Sequence, residues 1–148
     1  MTIPTFTAVS IFCEDIRDEI NEQRTLVGLL PDNIAVSATP GMLPKLGLYT
    51  RMMIPVDAAC DGGIQVILTS PSKKMVVTAP VDIDQICKAQ ADSKAQGSPV
   101  AIILTSMIAS PFPIIEVGRF VATAHYMGEE YYSGSIKVII GEDPTEAP

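Results

Sequence analysis

Five carboxylates, Glu14, Asp15, Asp18, Glu19 and Glu22, crowd around Arg17 in the stretch FCEDIRDEINEQRTLVGLL at positions 12–30. Clustered oxygens suit a hard cation, so calcium is the first chemistry to weigh. The spacing does not fit: there is no Asp-x-Asp-x-Asp-Gly loop, and Arg17 would stand inside the ligand shell as a competing cation. The knot reads instead as a structural motif of Cys13, Glu14, Asp15, Arg17 and Glu19. It is expected to connect the first two strands, with Ile16 and Ile20 turned inward and the carboxylates outward. Arg17 is then satisfied by neighbours such as Asp15 or Glu19, as in a solvated bend with its own ion pairs.

The other reactive side chains are few. His125 is the only histidine, and a Cys-His nucleophile would have to pair it with Cys13, Cys60 or Cys87. Its alternation with Arg119 and Thr123 predicts a solvent-facing position on a strand. Cys87 on a helical stripe and Cys13 at a strand end read as core residues. One histidine without paired cysteines makes no transition-metal site. No Gly-x-Ser-x-Gly elbow, Walker loop or Gly-x-Gly-x-x-Gly turn occurs. The sequence therefore assigns no catalytic residue, no cofactor and no metal ligand. Were the protein a small hydrolase or a ligand-binding enzyme, its cleft would lie near the helix described next and His125.

The elements that must position these residues are short strands. FTAVSIFC (6–13), RTLVGLL (24–30), IAVSA, KLGLYTRMMIPV (45–56), IQVILTS (64–70) and KMVVTA are rich in β-formers and separated by Pro, Gly and Asp turns. After residue 100 come VAIILTSMIA, IIEVGRFVATAHYM and SIKVII. Phe120, Ala122, Ala124 and Tyr126 alternate against Arg119, Val121, Thr123 and His125. One helix interrupts the rhythm over 82–96. Asp82 stands at its N-cap with Gln85 placed for a capping box, and Val81 and Ile86 hold the positions of a hydrophobic staple. Ile83, Ile86, Cys87 and Ala91 have helical spacing, and Gly97 then Pro99 end the segment. About eight strands and this one helix predict a mostly β sandwich. It would form a single domain over 1–140, followed by a flexible acidic tail over 141–148.

Hydrophobic residues make up 47% of the 148 and charged residues 18%, against roughly 25% charged in an ordinary globular chain. A domain this short has much surface to cover, so some of it is expected to be covered by protein, by self-association or in a larger assembly. The net charge of −7, with 10 scattered Lys and Arg, argues against nucleic acid and anionic membranes. MTIPTFTAVS lacks the basic start and long apolar core of a secretory leader. The uncharged run from Ala95 to Ile115 is broken by Pro99, Pro111 and Pro113, where a membrane helix needs about 20 continuous apolar residues. Three cysteines without short spacing suit free thiols in a reducing compartment, so the expected location is cytoplasmic.

Phe12, Cys13, Glu14, Asp15, Arg17, Glu19 and then Leu26, Val27, Gly28 resemble the opening of an uncharacterised family of small bacterial and phage-associated β-sandwich proteins. LPKLGLYTRM and the closing EVGRFVATAHYMGEEYYSGSIKVII are similar to that family's later pattern. The resemblance implies an immunoglobulin-like or C2-like sandwich ending in a hairpin, and a virion location if the chain is phage-encoded. It implies no activity and does not extend to the helix. The recurrence of Arg-x-Glu in that family implies a partly buried Arg17 with bidentate carboxylate bonds, whose removal would strand the acids it neutralises.

Overall fold

Leu46, Leu48, Thr50, Met52 and Ile54 are buried, while Arg51 between them is exposed and Tyr49 and Met53 are half-buried. The same period of two runs through Ile64, Val66 and Leu68, and through Phe120, Ala122, Ala124 and Tyr126. Successive side chains of a strand point to opposite faces, so these sets define the inward faces of strands. The computed structural model describes residues 5–141. Within them the chain is mostly β.

In chain order the strands are β1 (Thr7–Asp18), β2 (Arg24–Leu29), β3 (Asn33–Val36), β4 (Gly41–Leu43), β5 (Leu46–Pro55), β6 (Ile64–Thr69) and β7 (Val76–Val81). The helix α1 (Ile83–Ala95) precedes β8 (Val100–Ala109), β9 (Phe112–Ile114), β10 (Gly118–Tyr126) and β11 (Glu129–Ile140). An antiparallel four-stranded sheet has the order β2-β1-β5-β8. A five-stranded sheet has the order β3-β11-β10-β6-β7, antiparallel except where β3 runs parallel to β11. Inner residues of both sheets join one hydrophobic cluster, which includes Leu48, Met52, Val66, Ile103, Phe120 and Val138. Phe6 stacks on Tyr126 with ring centroids 4.6 Å apart.

A chain of hydroxyls also crosses between the sheets. Ser10 Oγ on β1 lies 2.8 Å from Thr50 Oγ1 on β5 and 2.7 Å from Ser133 Oγ on β11. Ser133 is the extra residue of a bulge, because Ala122 pairs with Gly134 while Thr123 pairs with Tyr132. The bulge turns its hydroxyl inward, where it is buried.

Among the described residues eleven strands replace the expected eight or so. β4 and β9 pair with each other inside segments that read as proline turns, TPGMLP and SPFPI, with Met42 opposite Pro113. Three-residue strands are too short to show alternation. β1 runs on to Asp18, so most of the supposed connection is itself strand, and only Glu19 to Gln23 turns. β11 likewise begins at Glu129, six residues ahead of the SIKVII segment.

The helix stands where its signals put it, flanked by Asp82 and Gln96. Gly97, at φ +77°, donates to Lys94 O (3.0 Å) and Ser98 N–H donates to Ser93 O (2.9 Å), the paired closure of a Schellman end. Val81 and Ile86 are both buried as expected. Two details differ. The Asp82 side chain makes no cap hydrogen bond, and the inward face carries Ile86 and Gln90, leaving Ile83, Cys87 and Ala91 exposed. Gln90 turns in because Nε2 donates to Pro55 O and Ala58 O, both at 2.9 Å, which satisfies a buried amide. Of the tail over 141–148, Gly141 donates to Val36 O and the remainder lies outside the described residues.

Candidate functional site

An antiparallel sheet with one wet face normally alternates apolar with polar residues. The four-stranded sheet departs from this. Its outward positions form cross-strand rows: Thr7, Met53, Ile102; then Val9, Arg51, Leu104; then Ile11, Tyr49, Ser106; then Cys13, Gly47, Ile108. Arg51 is the one charge among them. Val9 is 58% exposed, Ile108 46%, and Ile11, Ile102 and Leu104 each more than a third. The low charge content seen in the composition is thus concentrated on one face.

Part of that face is covered by the chain itself. β1 pairs with β5 only as far as Cys13, then continues with β2 as a hairpin arm. Gly28, at φ +64°, kinks β2 beside Glu14, and a Cβ there would lie 2.6 Å from Glu14 Oε2. From this hinge the arm lies across the outer face. Ile16 is buried over Gly47, where an added Cβ would stand 2.8 Å from Cys13 Sγ and 3.1 Å from Ile16 Cγ1. Farther along, Arg24 Nη1 donates to Ser106 Oγ of β8 at 2.9 Å. Cys13 is fully buried as expected, yet beneath the arm and not in the core between the sheets. Burial is the chief reason its thiol pKa is raised.

Between the arm tip and α1 the face stays open as a cavity of about 420 Å³. Ile102 and Leu104 line it, with Glu22 and Arg24 on the arm side and Gln85 and Ala89 on the helix side. On the opposite flank of the arm a second cavity, about 430 Å³, has Leu30, Ile34 and Leu43 in its wall and Asp15 and Lys45 at its edge.

The acidic knot is distributed over this arm and does not converge on a point. Asp15 Oδ1 accepts from Lys45 Nζ at 3.2 Å and from the Ile16 N–H at 2.9 Å, while Arg17 Nε is 3.8 Å from Asp15 Oδ2. The Lys45 hydrogen bond is the main reason that the Asp15 carboxyl sits below its ordinary pKa, against a smaller opposing effect of burial. Asp18 pairs with Arg24 at 3.3 Å. Glu14 lies over Gly28, and Glu19 is exposed, its N–H donating to Gln23 O at 2.7 Å. The expectation of a partly buried Arg17 is overturned: its side chain is 65% exposed with one long carboxylate contact. Lys45, 30 residues away in sequence, takes the neutralising role instead. Ile20, expected inward, is 83% exposed at the arm tip. Among the described residues no group of three or more His, Cys, Asp or Glu is arranged to hold a metal ion.

His125 is half-buried on the outer face of the five-stranded sheet, with Nε2 3.1 Å from Thr123 Oγ1. The cavity beside the helix is walled by the arm and does not include His125, so the cleft expected to join them is not formed there. Cys87 is exposed, because the helix face is turned from the one its apolar residues suggested. Nothing in the residues 12–30 signals that the arm folds back, and only its partners Cys13 and Ile16 reveal the use of Gly47. Among the described residues no helix is long and apolar enough to cross a membrane. No family model, curated protein or solved structure matches this chain.

Proposed function

We propose that this protein is an interaction module, binding protein and not transforming a substrate, and that it self-associates through the outer face of its four-stranded sheet. The observation that carries this reading is the row structure of that face, in which Val9, Leu104, Ile102 and Ile11 surround a single charge, Arg51. Exposed contiguous apolar surface of this kind marks contact sites in water-soluble chains. An apolar patch with a charged rim also has the anatomy of a protein interface, and the arm carboxylates beside the cavity supply such a rim. The packing of two sheets is of the immunoglobulin-like or C2-like kind in this proposal. A subunit of a larger assembly, such as a phage particle, would use the same face.

Light scattering over a concentration series tests it. The wild type is expected to show a mass that is a multiple of 15.8 kDa. Val9→Glu combined with Leu104→Glu places carboxylates on both sides of Arg51 and is expected to return the chain to a monomer with an unchanged far-UV spectrum. A wild-type mass of 15.8 kDa at every concentration overturns the self-association.

A further inference from the structure

Two of the three cysteines, 27 positions apart in sequence, meet at the back of the helix. Cys87, Gln90 and Lys94 share one helix face, at spacings of three and four residues. That face lies along the loop joining β5 to β6. Lys94 Nζ donates to Asp57 Oδ1 at 2.8 Å, and Gln90 Nε2 holds Pro55 O and Ala58 O. The Tyr126 hydroxyl donates to Ala59 O from the other side. Lys94 meets Asp57 and Gln90 meets Ala58, so running toward the helix start the next pair in this register is Cys87 and Cys60. Cys60 is half-buried against the core, whereas Cys87 is exposed.

We propose that Cys60 and Cys87 are a redox-active dithiol, which a small-molecule disulfide of the glutathione class converts to an intramolecular disulfide. The Cys87 thiolate attacks one sulfur of the small disulfide and releases the other as a thiolate, leaving a mixed disulfide on Cys87. Cys60 then loses its proton to water and attacks the Cys87 sulfur, and the second small thiolate departs. The protein gives up two electrons and two protons, and one small disulfide becomes two thiols.

The order of events follows from the surroundings. The interaction with Cys87, in which the Cys60 S–H is the donor, then burial and the nearby Asp61 carboxylate, raise the Cys60 thiol pKa, so Cys60 holds its proton and the exposed Cys87 is the thiol that meets the oxidant. A bond of about 2.05 Å would replace the thiol contact. It would tie the helix, which forms one wall of the cavity on the outer sheet face, to the β5–β6 loop.

Trypsin separates the three thiols into peptides 1–17, 52–73 and 75–88, so each can be followed by mass. Native full-length protein treated with oxidised glutathione is expected to lose two hydrogens and to yield a crosslinked 52–73/75–88 pair. Cys13, sealed beneath the arm, should stay reduced. The closed loop is expected to raise the melting temperature by about 5–10 °C, reversed by dithiothreitol. The Cys60→Ser variant should stop at a glutathione adduct on Cys87, which also shows that this variant is folded and reactive. A wild type that accumulates stable adducts without the crosslink, or that remains fully reduced, overturns the proposal.

Discussion

Ser10 carries more than its size suggests. Its hydroxyl is the middle member of the chain Thr50–Ser10–Ser133, and both neighbours are buried. Ser10→Ala removes one hydroxyl and leaves two others in the interior with a partner missing. Since an unsatisfied buried polar group costs about 1–3 kcal/mol, that is the expected destabilisation in urea unfolding. A cost below 0.5 kcal/mol, as at an ordinary surface serine, would show that the chain of hydroxyls is not holding the sheets together. Arg17 is the opposite case. The sequence draws the eye to it, but its exposed pair with Asp15 is of the kind worth ~0–1 kcal/mol. Neither value was legible from the residues alone. Charge clusters are conspicuous in a sequence, whereas three hydroxyls at positions 10, 50 and 133 become a unit only when three strands bring them together.

The helix and the arm show what kind of element a sequence can announce. α1 is written in consecutive residues: a polar start, an apolar spacing and Gly97 at its end, so its bounds came out within a residue. Its inward face did not, because the partners of Gln90 are carbonyls 32 and 35 positions away. The arm depends on contacts between distant segments throughout. Its seat on the sheet is the bare backbone of Gly47, against which Cys13 and Ile16 pack. Gly47→Ala should therefore overpack that seat, cost about 1–3 kcal/mol and lift the arm. The second effect is readable directly, since Cys13 should become reactive toward a thiol reagent under native conditions. Unchanged stability together with a still-protected Cys13 would mean that the arm is not seated as described.

Across the whole molecule, hydrogen-bonded carboxylates, two of them in ion pairs, link segments far apart in sequence. Asp15 is held by Lys45, Asp32 by Arg119 at 3.1 Å, and Glu116 by Ser72, and each of the three carboxyls lies below its ordinary pKa chiefly because of that hydrogen bond. A carboxyl depressed in the folded state contributes stability that is complete above its unfolded value, about 3.9–4.3, and is lost as the pH falls through the folded one. The melting temperature is thus expected to hold from pH 7 to 5 and to fall below about pH 4. The net charge is near zero around pH 4.5, so self-repulsion does not cause the first part of that fall. A melting temperature that stays level or rises on acidification to pH 3 would contradict these pairings. The predominance of strands was legible, being written in alternation along each segment; which strands are neighbours was not. Nothing in NIAV points to IKVII, yet β3 lies parallel to β11, with Asn33 opposite Lys137 and Val36 opposite Ile140. A ribosome delivers these partners in order, with about a hundred residues of synthesis between them. Until β11 has emerged, β3 has no strand to lie against and β10 lacks one of its two neighbours. A nascent chain therefore carries an unpaired β3 for most of its synthesis and, once β10 is made, an open β10 edge as well, and arrest or cleavage just before Glu129 releases a polypeptide that is sticky where the finished one is closed.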